Sequence, residues 1–315
     1  MSRATLLGPA EIRDLADLLG VQPTKKLGQN FVHDANTVRR IVAASGVSAG
    51  MTVVEIGPGL GSLTLGLLEA GAKVVAVEID KRLAEQLPKT VAQLQPAADL
   101  TVVVDDALRV TTLPDEPTHL VANLPYNVSV PVLLHFLEHF GGLEHGLVMV
   151  QSEVGLRLAA EPGSKVYGGP SIKAAWYGEF RAAGQVSRQV FWPVPNVDSI
   201  LVAFDRKPAR GSELERRATF ALVDAAFQQR RKMLRQSLSS LYGSSAAASE
   251  ALERAGLAPT QRGEQLTVDD FLAVARVSDV DALAGASVAA VLHADEGEAH
   301  EGEAHEGEAH EGEAD

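Results

Sequence analysis

Between about residues 50 and 150, short runs of Val, Ile and Leu alternate with longer stretches of helical period. TVVEIG (52–57) precedes SLTLGLLEAG (62–71), and KVVAVEID (73–80) precedes KRLAEQLPKTVAQL (81–94). LTVVVDD (100–106), THLVAN (118–123) with VPVLLHFLEHF (130–140), and GLVMVQSEV (146–154) continue the series. A strand that is apolar along its whole length must be covered on both faces, and such strands separated by helices build a parallel sheet. GQVSRQVF (184–191) and SILVAFD (199–205) have no long helix between them and are expected to pair antiparallel at the sheet's edge. The fold class expected is α/β: a doubly wound sheet followed by a small all-helical domain.

The helical part begins after RKPARG (206–211), where composition shifts. SELERRATFALVDAAFQQRRKMLRQSLSSLYG (212–243), SSAAASEALERAG (244–256) and TVDDFLAVARVSD (267–279) all have helical period. The domains expected are therefore 1–207, whose first 50 residues include a helix at PAEIRDLADLL (9–19), then 208–294, then a tail from 295 to 315. That tail repeats EGEA followed by His or Asp four times and is expected to be disordered.

The formal net charge of −13 argues against a nucleic-acid partner at first sight. Ten of the carboxylates lie in the tail, however, and without them the body carries −3. A near-neutral body with a local basic face can bind RNA. The chain has no Cys, which excludes disulfides, thiolate nucleophiles and Cys-zinc sites. No apolar run approaches the ~20 residues of a membrane helix. Acids stand near the start where a leader peptide would be apolar. The expected compartment is the cytoplasm, without membrane attachment.

VVEIGPGLGSLT (53–64) is a strand, a glycine-rich turn and a helix start. Gly57, Gly59 and Gly61 permit a tight turn and close backbone approach to a ligand. Their spacing is not the dinucleotide spacing, and Pro58 and Glu55 make a poor anion cradle. A nucleoside with a zwitterionic end fits better than a pyrophosphate. Glu78 ends the next strand, 21 residues after Gly57, where a carboxylate accepts from ribose hydroxyls. Asp106 ends the third strand and can accept from an adenine amino group. Alone, the glycines could merely turn the chain; with both acids, S-adenosylmethionine is the favoured cofactor and NAD the runner-up.

NLPY (123–126) follows the fourth strand. An exocyclic adenine amine is a poor nucleophile because its lone pair is delocalised into the ring. The Asn123 oxygen and a backbone carbonyl of Leu124–Pro125 could accept its two hydrogens and aim the lone pair at a sulfonium methyl. Pro125 stiffens the backbone, and Tyr126 offers a face on which a flipped base can stack. No general base is needed, since the extra proton can leave to water. Asn-x-Pro is also ordinary turn chemistry. Lys25, Lys26, Arg230, Arg231, Lys232 and Arg235 are candidate phosphate contacts, with Arg231 and Arg235 expected on one helical face. His135 and His139 stand at a metal-compatible spacing without a third ligand, and no metal site is expected.

These pieces resemble the KsgA/RsmA family, the small-subunit ribosomal RNA adenine dimethyltransferases. KKLGQNFVHD (25–34), VVEIGPGLGSLT, VVAVEID, VDDAL (104–108), NLPYNVSVPVL (123–133), QSEVGLRLAAEPGSKVYG (151–168), VFWPVPNVDS (190–199) and AFQQRRKMLRQSL (226–238) occur in family order. The resemblance implies a class I methyltransferase, Rossmann-like sheet and S-adenosylmethionine as cofactor. It implies dimethylation of two adjacent adenosines in the 3′-terminal hairpin loop of 16S rRNA, by a monomer acting on an immature small subunit. It further implies that Gln29, Asn30 and Val32 close over the cofactor. Gly57 and Gly59 would approach its methionine part, Glu78 its ribose and Asp106 its adenine. Asn123 would touch the cofactor's amino-acid end and orient the target amine, and Tyr126 and Phe191 would sandwich the target base. Val194 replaces a family proline, and the tail lies outside the family pattern. A large-subunit rRNA adenine methyltransferase of the macrolide-resistance type, or an assembly factor whose binding outweighs its chemistry, are the alternatives.

Overall fold

The computed structural model describes residues 6–21 and 30–286. Lys25, Lys26, Gln29 and the 295–315 tail lie outside the described residues. The chain divides into two compact units: Met1–Ala160 with Tyr177–Pro208, and Glu161–Trp176 with Ala209–Asp315. No described helix is long and apolar enough to cross a membrane.

The first unit opens with α1 (Pro9–Leu18), a two-residue strand β1 (Phe31–Val32) and α2 (Ala35–Ser45). The alternating pattern then appears as β2 (Thr52–Ile56), α3 (Ser62–Glu69), β3 (Lys73–Glu78), α4 (Lys81–Leu94), β4 (Leu100–Val104), β5 (His119–Asn123), α5 (Ser129–His139) and β6 (His145–Gln151). The helix α6 (Ser152–Leu158) follows β6 directly, so SEV of the apolar run is helical rather than strand. The sheet has seven strands in the order β4-β3-β2-β5-β6-β9-β7, the last two defined below. Strands β2 to β6 run parallel. Strand order reverses between β2 and β5, the place where open α/β sheets leave a crevice at their carboxyl ends.

The apolar strands are covered on both faces. Val53, Val74, Ala76, Val121, Leu147 and Met149 join one core with residues of α1 to α4. Their neighbours Val54, Val75, Leu120, Val148 and Val150, which alternate to the opposite face, are also fully buried. The sheet closes with β7 (Gly178–Val186) and β9 (Ser199–Arg206), both antiparallel to their neighbours. The expected strand 184–191 is thereby corrected: only its GQV belongs to β7. Beyond it Ser187 caps a single 3-10 turn, and Arg188 N–H donates to Asp198 Oδ1 at 2.9 Å. The chain then forms β8 (Phe191–Trp192), which pairs with β1 instead of the large sheet.

The second unit contains α7 (Gly169–Tyr177) up to Trp176, then α8 (Glu213–Gln228), α9 (Leu234–Ser237), α10 (Ser239–Tyr242), α11 (Ser245–Arg254) and α12 (Val268–Arg276). Residues 161–176 group with these helices and not with the sheet, which the expected boundary at 207 did not anticipate. The reason is local bonding: Tyr167 O–H donates to Leu266 O at 2.9 Å, Gly163 N–H to Glu264 O at 2.8 Å, and Lys173 pairs with Asp224 at 2.7 Å. A second correction concerns the helix expected from 212 to 243. It breaks at Gln229–Met233, because Leu234 N–H donates to Gln261 O at 2.8 Å and Arg235 N–H to Pro259 O at 3.2 Å. The break turns Leu234 and Leu238 into the core, each fully buried.

Close packing beside the crevice generates a test. A Cβ on Gly155 of α6 would collide with Ile200 Cγ2 and lie 2.9 Å from Val202 Cγ2. Both are on β9, so neither can move far. Gly155→Ala is expected to destabilise by about 1–3 kcal/mol, seen as a lowered thermal midpoint. An unchanged midpoint would mean that α6 shifts freely on the sheet.

Candidate active site at the carboxyl ends of the strands

The glycine-rich turn between β2 and α3 is held by left-handed backbone at Gly57, Gly59 and Gly61, with φ of 64, 57 and 95°. Two of these positions are also crowded. A Cβ on Gly59 would lie 2.8 Å from Phe31 Cε1, and one on Gly61 2.6 Å from Leu87 Cδ1. In front of Gly57 there is open space. That space belongs to a cavity of about 300 Å³, the lower end of the range for small-molecule sites.

Glu78, the last residue of β3, is buried. Its Oε2 accepts from Gly59 N–H at 3.1 Å and its Oε1 from Asp80 N–H at 2.9 Å. Burial holds its carboxyl above the usual range, and the two N–H donors partly oppose that. Asp80 caps α4 through Arg82 N–H and pairs with the Arg82 guanidinium, which lowers its pKa. Asp106, just after β4, orders its own turn by accepting from Leu108 N–H at 2.9 Å.

Asn123 ends β5. Its Nδ2 donates to the main-chain oxygen of Asn30 at 2.9 Å, across 93 residues of chain. Leu124 N–H is tied to Met149 O at 3.1 Å, and Pro125 O accepts from Val128 N–H at 3.3 Å. The Tyr126 hydroxyl lies 2.7 Å from the hydroxyl of fully buried Ser199. Asn30, Val32, Gly57, Gly59, Glu78, Asp106, Asn123, Leu124, Pro125 and Tyr126 thus line one cavity.

Phe191 does not line that cavity. It pairs with Val32 across the β1–β8 ladder, is 1% exposed, and belongs to the core. Adjacent strand residues point oppositely, so Trp192 lies on the other face of the ladder, where it is half-buried and its ring stacks on Phe31 at 6.4 Å. Of the expected Tyr126–Phe191 sandwich, Tyr126 lines the cavity, whereas Phe191 is buried in the core and is not among the lining residues.

The basic candidates also differ from expectation. Arg230 is engaged by Glu264 at 3.0 Å and by Lys165 O at 2.8 Å. Arg231 and Lys232 are exposed in the turn after α8, while Arg235 lies on α9 and is half-buried. Arg231 and Arg235 therefore share no helical face. His135 Nε2 bonds Val110 O at 2.7 Å and His139 Nδ1 bonds His135 O at 3.0 Å, so both rings serve the fold around α5.

Residues 21–279 match the family model described as ribosomal RNA adenine dimethylase. The chain belongs to this family. Ribosomal RNA small subunit methyltransferase A of Leifsonia xyli subsp. xyli is 70% identical over 278 residues, covering 87% of this chain and 99% of that protein. The protein of the same name from Thermobifida fusca is 61% identical over 275 residues, covering 86% and 96%. Among solved structures, a dimethyladenosine transferase from Plasmodium falciparum aligns with a TM-score of 0.66 at 23% identity, covering 78% of this chain and 95% of that one. The 23S rRNA methyltransferase ErmE aligns with a TM-score of 0.59 at 24% identity, covering 79% and 99%. Both structural likenesses show the sheet fold shared with the methyltransferases.

Several residues at this cavity escaped sequence reasoning. Phe31 packs on the glycine turn and lines the cavity, and Ile79 and Leu108 add exposed apolar walls. Ile79 had a signal, since it directly follows Glu78; Ser199 had none, because its partner is 73 residues away. Glu55, which the sequence marked only as part of a poor anion cradle, is the most unusual residue of the cavity. It is fully buried on β2, lines the cavity, and has one carboxyl oxygen without a hydrogen-bond partner. Burial, assisted by the charge of Glu78, pushes its carboxyl up to about 8. Thr64 pulls the other way, although its hydroxyl reaches no hydrogen-bonding geometry. An orphaned buried carboxyl beside open space at Gly57 fits a ligand with a cationic amino-acid end.

Glu55 also sets a pH dependence. Its folded value of about 8 lies above the ordinary 4.5, so the native state holds a proton that the unfolded chain releases. Stability of the cofactor-free protein must then fall as pH rises through that interval. Between pH 6 and 8 the loss is on the order of 2 kcal/mol. Glu55→Gln should abolish this component, so that its thermal midpoint declines less than wild type over the same interval. Parallel declines would contradict the assignment.

Proposed function

We propose that this chain transfers methyl groups from S-adenosylmethionine to the exocyclic amines of adenosines in small-subunit ribosomal RNA. The finer reading is dimethylation of two adjacent adenosines in the 3′-terminal hairpin loop of 16S rRNA, by a monomer acting in the cytoplasm on an immature subunit. One observation carries it: NLPY and the strand-end carboxylates line a single cavity at the sheet's reversal point.

The cofactor supplies an electrophilic methyl carried on a sulfonium. Glu55 and the open backbone at Gly57 would hold its amino-acid end, Glu78 its ribose, and Asp106 with Ile79 and Leu108 its base. Asn123 Oδ1 and the Leu124 carbonyl would accept the two hydrogens of the target amine and direct its lone pair. Pro125's own carbonyl is already engaged by Val128. Because Asn123 and Leu124 are both anchored in the structure, little reorganisation accompanies the reaction. Tyr126 would stack on the flipped base with its hydroxyl fixed by Ser199, while Phe191 would support the loop from behind. The proton departs to water, so no side chain must ionise in the step.

Arg231, Lys232 and Arg235, with Lys25 and Lys26, would contact RNA phosphates, giving position rather than base choice. The large-subunit alternative has a fold likeness under it, whereas the high-identity relatives carry a small-subunit name.

Asn123→Ala should lower methyl transfer to small-subunit RNA by about 10²–10⁴-fold. RNA affinity should change by less than about threefold, since phosphate contacts dominate it. Transfer of labelled methyl, measured alongside RNA binding, tests this; unchanged turnover would remove Asn123 from the chemistry.

A further inference from the structure

Asn123 Nδ2 lies 2.9 Å from the main-chain oxygen of Asn30. A carbonyl oxygen only accepts hydrogen bonds, whereas a carboxamide has a donor end and an acceptor end. Turning the amide over would set two acceptors against each other at that distance. It would also present an NH2 to an incoming amine, donor against donor. The carbonyl itself is held in place, because the next residue, Phe31, pairs with Trp192 and packs its ring against Gly59.

We propose that the Asn30 main-chain carbonyl is the positioning group that sets the Asn123 carboxamide, so that its oxygen is presented to the target amine. The inference deepens the methyl-transfer reading and rests on it. Position 123 then requires a side chain that donates on one side and accepts on the other. An ionised carboxylate, which only accepts, fails against Asn30 even though it could accept from an amine. A protonated carboxyl meets both demands: its O–H donates to Asn30 and its C=O accepts. The titratable groups lining the cavity around this position are Glu55 from β2, Glu78 from β3, Asp80 at the start of α4 (paired with Arg82), Asp105 and Asp106 beyond β4, and Tyr126 beyond β5. No Lys or Arg is among the described residues lining the cavity. These neighbours favour the protonated form of a carboxyl placed there.

The test compares Asn123→Asp with wild type and Asn123→Ala on the same RNA between about pH 5.5 and 8.5. The ratio of kcat for Asn123→Asp to wild type should be about 100-fold down at the alkaline end and climb up to tenfold per pH unit on acidification. KM for S-adenosylmethionine should stay level, and Asn123→Ala should show no such climb. A ratio that is flat with pH, high or low, overturns the proposal. A second measurement needs no variant activity: in 15N-labelled wild type, one Asn123 side-chain amide proton should exchange at least about tenfold more slowly than those of exposed asparagines. Rapid exchange of both protons overturns it equally. Failure of the underlying reading looks different, namely a wild type that methylates no RNA, and the exchange measurement still decides the orientation.

Discussion

The site depends on the Glu78 carboxylate accepting from Gly59 N–H and Asp80 N–H at once. The first bond joins the turn after β2 to the end of β3, and the second fixes the carboxylate against the start of α4. Without them the glycine turn, which left-handed backbone makes possible but does not fix, would lose its side-chain hydrogen bond to β3 at Gly59. Two buried carboxyls stand within this small region, and Glu55 pays the larger electrostatic cost. A fold retains a buried, partly unsatisfied acid where ligand binding gains from it, and the cavity beside Gly57 gives that acid something to meet.

Around this anchor, the two groups proposed to meet the target base are each held from a distant part of the chain. Asn123 is fixed from Asn30, and Tyr126 from Ser199. The β1–β8 ladder connects these supports, since it joins the segment of Asn30 to the loop leading into Ser199. The residues assigned by the proposal to cofactor and base are therefore tied together by this small ladder. This arrangement suits a reaction in which no residue exchanges a proton and geometry must supply most of the rate.

How much could be read in advance follows from the range of the forces involved. The strands were legible because runs such as TVVEI and KVVAVE admit only a doubly covered sheet, and that placed Gly57, Glu78, Asp106 and Asn123 at strand ends before any coordinates. The burial of Phe191 was not legible, since it comes from a two-residue pairing with Val32 about 160 residues away. The helix break before Leu234 was equally hidden: FQQRRKMLRQSL has good helical period, and only the carbonyls of Pro259 and Gln261 make the turn preferable. The grouping of residues 161–176 with the helices rests on Tyr167 and Lys173 finding partners 99 and 51 positions on. Local pattern located the chemistry; long-range hydrogen bonds decided which aromatic ring and which arginine stand where.

The most direct measurement is mass spectrometry of 16S rRNA fragments after undermethylated small subunits are incubated with the purified protein and labelled S-adenosylmethionine. The account predicts label in two adjacent dimethylated adenosines near the 3′ end. Absence of label there, while the protein still binds S-adenosylmethionine, would leave the cavity's cofactor role intact and contradict the substrate.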